Sequence, residues 1–131
     1  MRIAGCSPSE RQLDLIDIGW VVRRNAYAKD VVSKEIRKGW WVNMSQSVQR
    51  QPWGAHIGTL CRNAQWYSYE HDMVLSGASL MALMGWPRNF VQSGFGNHDL
   101  QELAGEGFSV PIAALCVYVL YLNPWAPWWH D

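Results

Sequence analysis

The chain has 131 residues, no net charge and 49% apolar residues, which bounds it to a single domain with one core and the apolar share of a globular protein. Its opening, MRIAGCSPSE, lacks an apolar stretch long enough for a signal peptide. Three widely spaced cysteines, with no CxxC and no histidine at zinc-finger spacing, argue against a disulfide framework or a metal centre. They fit reduced thiols in an intracellular setting, nuclear or cytoplasmic.

Two compositional features stand out. Nine tryptophans lie at positions 20, 40, 41, 53, 66, 86, 125, 128 and 129; each is a large apolar body with one N–H to satisfy, suited to a groove or to a surface that meets a partner. Charge is also uneven. Residues 1–50 carry nine Lys/Arg against five Asp/Glu, and residues 51–131 carry two against six. A basic half can face phosphates, although Asp14, Asp17, Asp30 and Glu35 interleave with the bases and dilute the field.

Ser7-Pro8-Ser9-Glu10 opens a helix: Ser7 can cap, Pro8 suits the first turn and Glu10 completes a capping box. Leu13, Ile16 and Trp20 recur at helical spacing, so a helix is predicted from Pro8 to about Ala26. A second, Val31 to Lys38, ends at Gly39. Trp40 to Met44 reads as a strand. His56–Cys61 and Gln65–Tyr69 read as two strands of a hairpin turning at Arg62-Asn63-Ala64, and Met73–Leu75 as a third. Ser76 caps a helix from Ala78 to Met84 that Gly85 ends, and Asn97 caps His98 to Ala104. The last helix, Val110 to Leu122, has Ser109 as its cap and Pro111 in its first turn. It has no polar face. At about 20 Å it is short of the ~30 Å a bilayer core demands, so it is expected to be a buried helix rather than a membrane span.

The order is two helices (7–39), short strands (40–75), then helices (76–122) and a Trp/Pro-rich tail (123–131), one α+β domain without a complete doubly wound sheet. A helix apolar on all sides wants neighbours on all sides, so the chain reads as lacking the sheet it was built to pack against.

Three stretches fall in a telling order. The first is Ser45-Gln46-Ser47-Val48-Gln49-Arg50-Gln51-Pro52-Trp53-Gly54, followed by Gly58-Thr59-Leu60. The second is Leu80-Met81-Ala82-Leu83-Met84-Gly85-Trp86-Pro87-Arg88-Asn89-Phe90, and the third Leu103-Ala104-Gly105-Glu106-Gly107-Phe108-Ser109-Val110-Pro111. Together they resemble the C-terminal third of cytosine-5 DNA methyltransferases, across roughly residues 42–122. In that family a Pro-Thr-Leu-like turn ends the target-recognition region, a helix closes in Leu-Gln-Gly-Phe-Pro, and Gly-Asn-Ala-Val-Pro opens another helix. The resemblance implies the C-terminal portion of a Rossmann-like methyltransferase with its parallel sheet largely missing. It implies S-adenosylmethionine as cofactor, with Gly105, Glu106, Gly107, Phe108 and Val110 on the cofactor side. It implies DNA as partner, with Arg50, Arg62 and Arg88 toward phosphates, and a catalytic part that another chain can supply.

The departures are specific. Met84 stands where the family has Gln, Trp86 where it has Phe, Glu106 where it has Asn, and Gly107 where it has Ala or Ser. The family's nucleophile is a Cys after Pro, whereas these cysteines follow Gly5, Leu60 and Leu115. No Glu-Asn-Val and no Gly-rich loop after a strand is present, so no catalytic residue is assigned and the chain alone is expected to be inactive. A second reading is a non-enzymatic module docking through its Trp-rich tail and bare C-terminal helix. A third, an independent enzyme using Cys61 with His56 or His71 and Asp72, lacks any spacing signature.

Overall fold

The computed structural model describes residues 7–87, 89, 94–107 and 109–122. It is a small α+β fold: a four-stranded antiparallel sheet with helices on both faces.

Helix α1 spans Glu10–Asn25. It starts two residues later than the sequence predicts, because Ser9 rather than Ser7 takes the cap position and donates its N–H to Gln12 Oε1 at 2.9 Å. Leu15, Ile16 and Gly19 form its buried stripe. Helix α2 is one turn, Ser33–Arg37, holding Ile36 fully buried. Gly39 at φ +60 then reverses the chain.

The strands are β1 (Trp41–Asn43), β2 (Trp53–Gly54), β3 (Trp66–Ser68) and β4 (Met73–Val74), in the order β2-β1-β3-β4. Val42 opposes Trp53 on one side and Tyr67 on the other, and Tyr67 opposes Val74. The predicted 56–69 hairpin does not form. β3 is bordered by β1 and β4, and β2 comes from Trp53–Gly54 rather than His56–Cys61. With both sides of β3 taken, Ile57 and Leu60 of that loop instead pack inward against the core around Leu80, Met81, Leu100 and Ala104.

Strand alternation divides the core in two. On one face Val42, Met44, Tyr67, Tyr69 and Val74 pack with Ile16 of α1, and Trp20, Trp40 and Trp53 close the edges. On the other, Trp66 and Ala64 meet Leu80 and Met81 of α3 (Gly77–Leu83) and Leu100 and Ala104 of α4 (Asn97–Glu106), with Trp41 and Trp86 alongside. Each fully buried Val, Leu, Ile or Met contributes about 1.5–3 kcal/mol. The six described tryptophans are therefore mostly sheet packing. Arg23 lies 4.5 Å from the Trp40 ring and Arg37 5.2 Å from that of Trp20. Arg24 donates to the carbonyls of Ala28 and Lys29. Much of the N-terminal positive charge thus serves the fold.

The two core tyrosines are tethered by their hydroxyls. Tyr69 donates to the Ile16 carbonyl at 2.6 Å, tying the sheet to α1. Tyr67 donates to the Asp72 carboxylate. Burial pushes both phenols above the usual tyrosine range, and for Tyr67 the Asp72 hydrogen bond adds to it.

α3 begins as predicted, with Ser76 Oγ accepting from Ser79 N–H at 3.2 Å. Asn97 does not cap its own helix. Its side chain accepts from Gly77 N–H at 2.7 Å, joining α3 to α4, and Gly96 is the cap position.

Helix α5 spans Val110–Tyr121. The expectation of a buried helix is not met: every residue from Pro111 to Leu122 is exposed, Leu115 at 60% and Val117 at 66%. Both sheet faces are already covered, by α1 and by α3 with α4, so α5 has no sheet face to pack on. Length and composition alone would let Asn97–Tyr121 cross a membrane. The helix breaks after Glu106, however, where Gly107 is extended, and 12 residues of α5 reach only about 18 Å.

Candidate functional site

Parts of the three sequence stretches meet at the base of α5: Gly58–Leu60, Leu83–Met84 and Gly107 with Ser109. α3 ends at Leu83, and Gly85 turns the chain at φ +84. That turn receives the start of α5: Val110 donates its N–H to the Met84 carbonyl at 2.8 Å. The contact is close enough that a Cβ on Gly85 would sit 2.6 Å from Pro111 Cδ. On the other side, Gly105 in the last turn of α4 lies directly on the Cys61–Arg62 backbone, with no room for a side chain.

These approaches enclose a cleft of about 470 Å³, with Gly58, Thr59 and Leu60 on one wall, Leu83 and Met84 on the second, and Gly107, Ser109 and Ile112 on the third. The lining is apolar apart from the Thr59 and Ser109 hydroxyls, and none of the described lining residues is charged. Such a surface can hold one face of a flat or apolar group. Among the described lining residues it offers no charged partner to an ammonium, a carboxylate or a sulfonium.

The residues singled out by sequence are placed as follows. Gly107 lines the cleft, and Val110 anchors α5 to the Met84 turn. Gly105 supports the wall from behind. Glu106 is turned to the surface, its Oε1 3.3 Å from Arg62 Nε. Arg62 also donates to Glu102 at 3.2 Å, so it faces two carboxylates. At 60% side-chain exposure these are surface pairs, worth about 0–1 kcal/mol. Phe108 and Arg88 lie outside the described residues.

Arg50 is elsewhere. It closes a 3-10 turn, Val48–Arg50, beside a second cleft of about 400 Å³ between the β1–β2 connection and the 55–62 loop. Gln46, Gln51 and His56 line this cleft too; sequence reading quoted the two glutamines only as part of the first stretch and named His56 only beside Cys61. The available signal was an absence: from Ile36 to Tyr69 the chain has no Asp or Glu. His56 and Cys61 share this cleft, whereas His71 is held in the β3–β4 turn, its Nδ1 3.1 Å from Ser68 Oγ. They do not form one constellation.

No protein-family model, curated protein or solved structure matches the chain.

Proposed function

We propose that the chain is the C-terminal part of a cytosine-5 DNA methyltransferase-like protein, comprising the end of a target-recognition region and the helices that return to the cofactor side. The observation that carries the reading is that a part of each resembling stretch, Gly58–Leu60, Leu83–Met84 and Gly107 with Ser109, lines one cleft, although Ser45–Gly54 of the first lies away from it. Segments some 50 residues apart, Gly58–Leu60 and Gly107–Ile112, share walls with the Leu83–Met84 turn.

On this reading Gly107, Ser109 and Leu83 would form one wall of the S-adenosylmethionine site, and the cofactor would supply the methyl group. The described lining holds no charged partner for its charged end, so those contacts would come from the catalytic part, as would the thiolate nucleophile. The uncovered α5 is the surface that packs on that part. Calorimetry tests the division. The isolated chain should show no micromolar binding of S-adenosylmethionine, and adding the N-terminal part of a cytosine-5 methyltransferase should produce it. Micromolar binding by the chain alone, or none by the pair, counts against the reading.

A further inference from the structure

We propose that a third cleft, at α2, is a binding site for a phosphorylated polyol, with its phosphate on Lys34, Arg37 and Lys38 and its hydroxyls on Glu35 and Glu70. None of these residues belongs to the three stretches that carry the methyltransferase resemblance, and the site stands without that reading.

The cleft holds about 460 Å³ and is lined by Ser33, Lys34, Glu35, Arg37, Lys38 and Glu70, the size of a small-molecule site. Three cations and two carboxylates thus face one space, yet among the described residues no ion pair joins them. Opposite charges that share a cleft without pairing leave both free for a ligand with complementary groups. Lys34, Arg37 and Lys38 are three and four residues apart, which brings them to one side of the α2 turn. Glu70 lies just past β3, and its Oε2 accepts from the Gly39 N–H at 2.9 Å. That bond ties one carboxylate to the backbone that leaves α2.

The frame of the cleft is fixed. Ile36 is fully buried and roots α2 in the core, and Arg23 Nε donates to the Ile36 carbonyl at 3.1 Å. The Arg37 guanidinium lies over the Trp20 ring, and its Nε is buried without an acceptor among the described residues. A cation so held loses little freedom on binding, and no protein carboxylate competes for it.

The mixed lining selects the ligand class. Two ammonium groups and a guanidinium suit a phosphate. Carboxylates accept hydrogen bonds from hydroxyls and repel further anions. A nucleic-acid strand would bring phosphates against Glu35 and Glu70, whereas a sugar or inositol phosphate brings hydroxyls. Two sources carry this chemistry, a soluble polyol phosphate and the headgroup of a phosphoinositide.

The test is calorimetry of the full chain with inositol monophosphate, inositol and inorganic phosphate. It is paired with co-sedimentation on phosphatidylcholine vesicles with and without phosphatidylinositol monophosphate. Inositol monophosphate should bind about tenfold more tightly than inorganic phosphate, and inositol should not bind. Lys34→Gln together with Lys38→Gln, on two exposed side chains, should weaken binding by about tenfold. Glu35→Gln separates the two ends of the ligand. It should tighten inorganic phosphate by removing a repelling charge, and weaken inositol monophosphate severalfold by removing a hydroxyl acceptor. Thermal unfolding should show the variants folded. Binding of the free compound assigns a soluble ligand, and binding only to phosphoinositide vesicles assigns a headgroup; either supports the site when the lysine variant loses it. Equal affinity for inorganic phosphate and inositol monophosphate overturns the proposal, as does unaltered binding in the folded lysine variant or no binding in either arm. Duplex-DNA binding that the lysine variant abolishes, without binding of inositol monophosphate, overturns it too.

Discussion

Replacing Gly85 with alanine tests the junction on which the candidate site depends. Two separate costs apply. At φ +84 an L-residue carries a backbone penalty of about 1–2 kcal/mol. The new Cβ would also sit 2.6 Å from Pro111 Cδ and 3.1 Å from Cγ, and forcing an extra methyl into such a contact costs about 1–3 kcal/mol. Together these come to roughly 3 kcal/mol, or about 10–15 °C in Tm for a domain of this size. Gly39 provides the control. Its φ is +60 with nothing within 4 Å of an added Cβ, so Gly39→Ala should cost the backbone component alone, about 1 kcal/mol or 4–5 °C. Pro111→Ala in the Gly85→Ala background removes the ring atoms in the way and should recover about 1–2 kcal/mol, a coupling readable from a double-mutant cycle by urea unfolding. Equal costs at Gly85 and Gly39, with an additive cycle, would refute the contact between the two turns and with it the shared cleft.

Other outcomes follow from the same geometry. Gly105→Ala drives a methyl into the Cys61–Arg62 backbone and should cost about 2–3 kcal/mol, with hydrogen exchange quickening in the 58–62 loop before the sheet. Burial holds Tyr69 above its ordinary pKa in the fold, while the unfolded phenol ionises near pH ~10. Its contribution is therefore complete below pH ~10 and lost as pH climbs beyond it. Urea unfolding at pH 8 and pH 11 should show this loss, and Tyr69→Phe should reduce it while costing about 1–2 kcal/mol at pH 8 through the hydrogen bond to Ile16. Leu120→Asp, on a residue 56% exposed in α5, should leave Tm within about 2 °C and raise solubility in gel filtration; a marked fall in Tm would mean that α5 is covered.

Local signals were legible in the sequence. Helical spacing gave α1, Ser76 marked the start of α3, and Gly39, Gly85 and Pro111 punctuated where they were expected to. Pairing was not legible. His56–Cys61 has strand-like composition, but the two sides of β3 go to β1 and β4, a competition between segments that no local rule decides. The adjacent Trp40 and Trp41 revealed their roles only once strand alternation sent one to each face. At the candidate site, residue types carried the resemblance, while the partners of Arg62 depend on where distant backbone lies. The bare α5 was legible as apolar, and its exposure followed only after both faces of the sheet were seen to be filled.

The most direct measurement is transfer of labelled methyl from S-adenosylmethionine to cytosine in duplex DNA by this chain mixed with the N-terminal part of a cytosine-5 methyltransferase. The account predicts label in DNA only when both parts are present, and its loss with Gly85→Ala in this chain. No label from a pair shown to be folded and associated would contradict it.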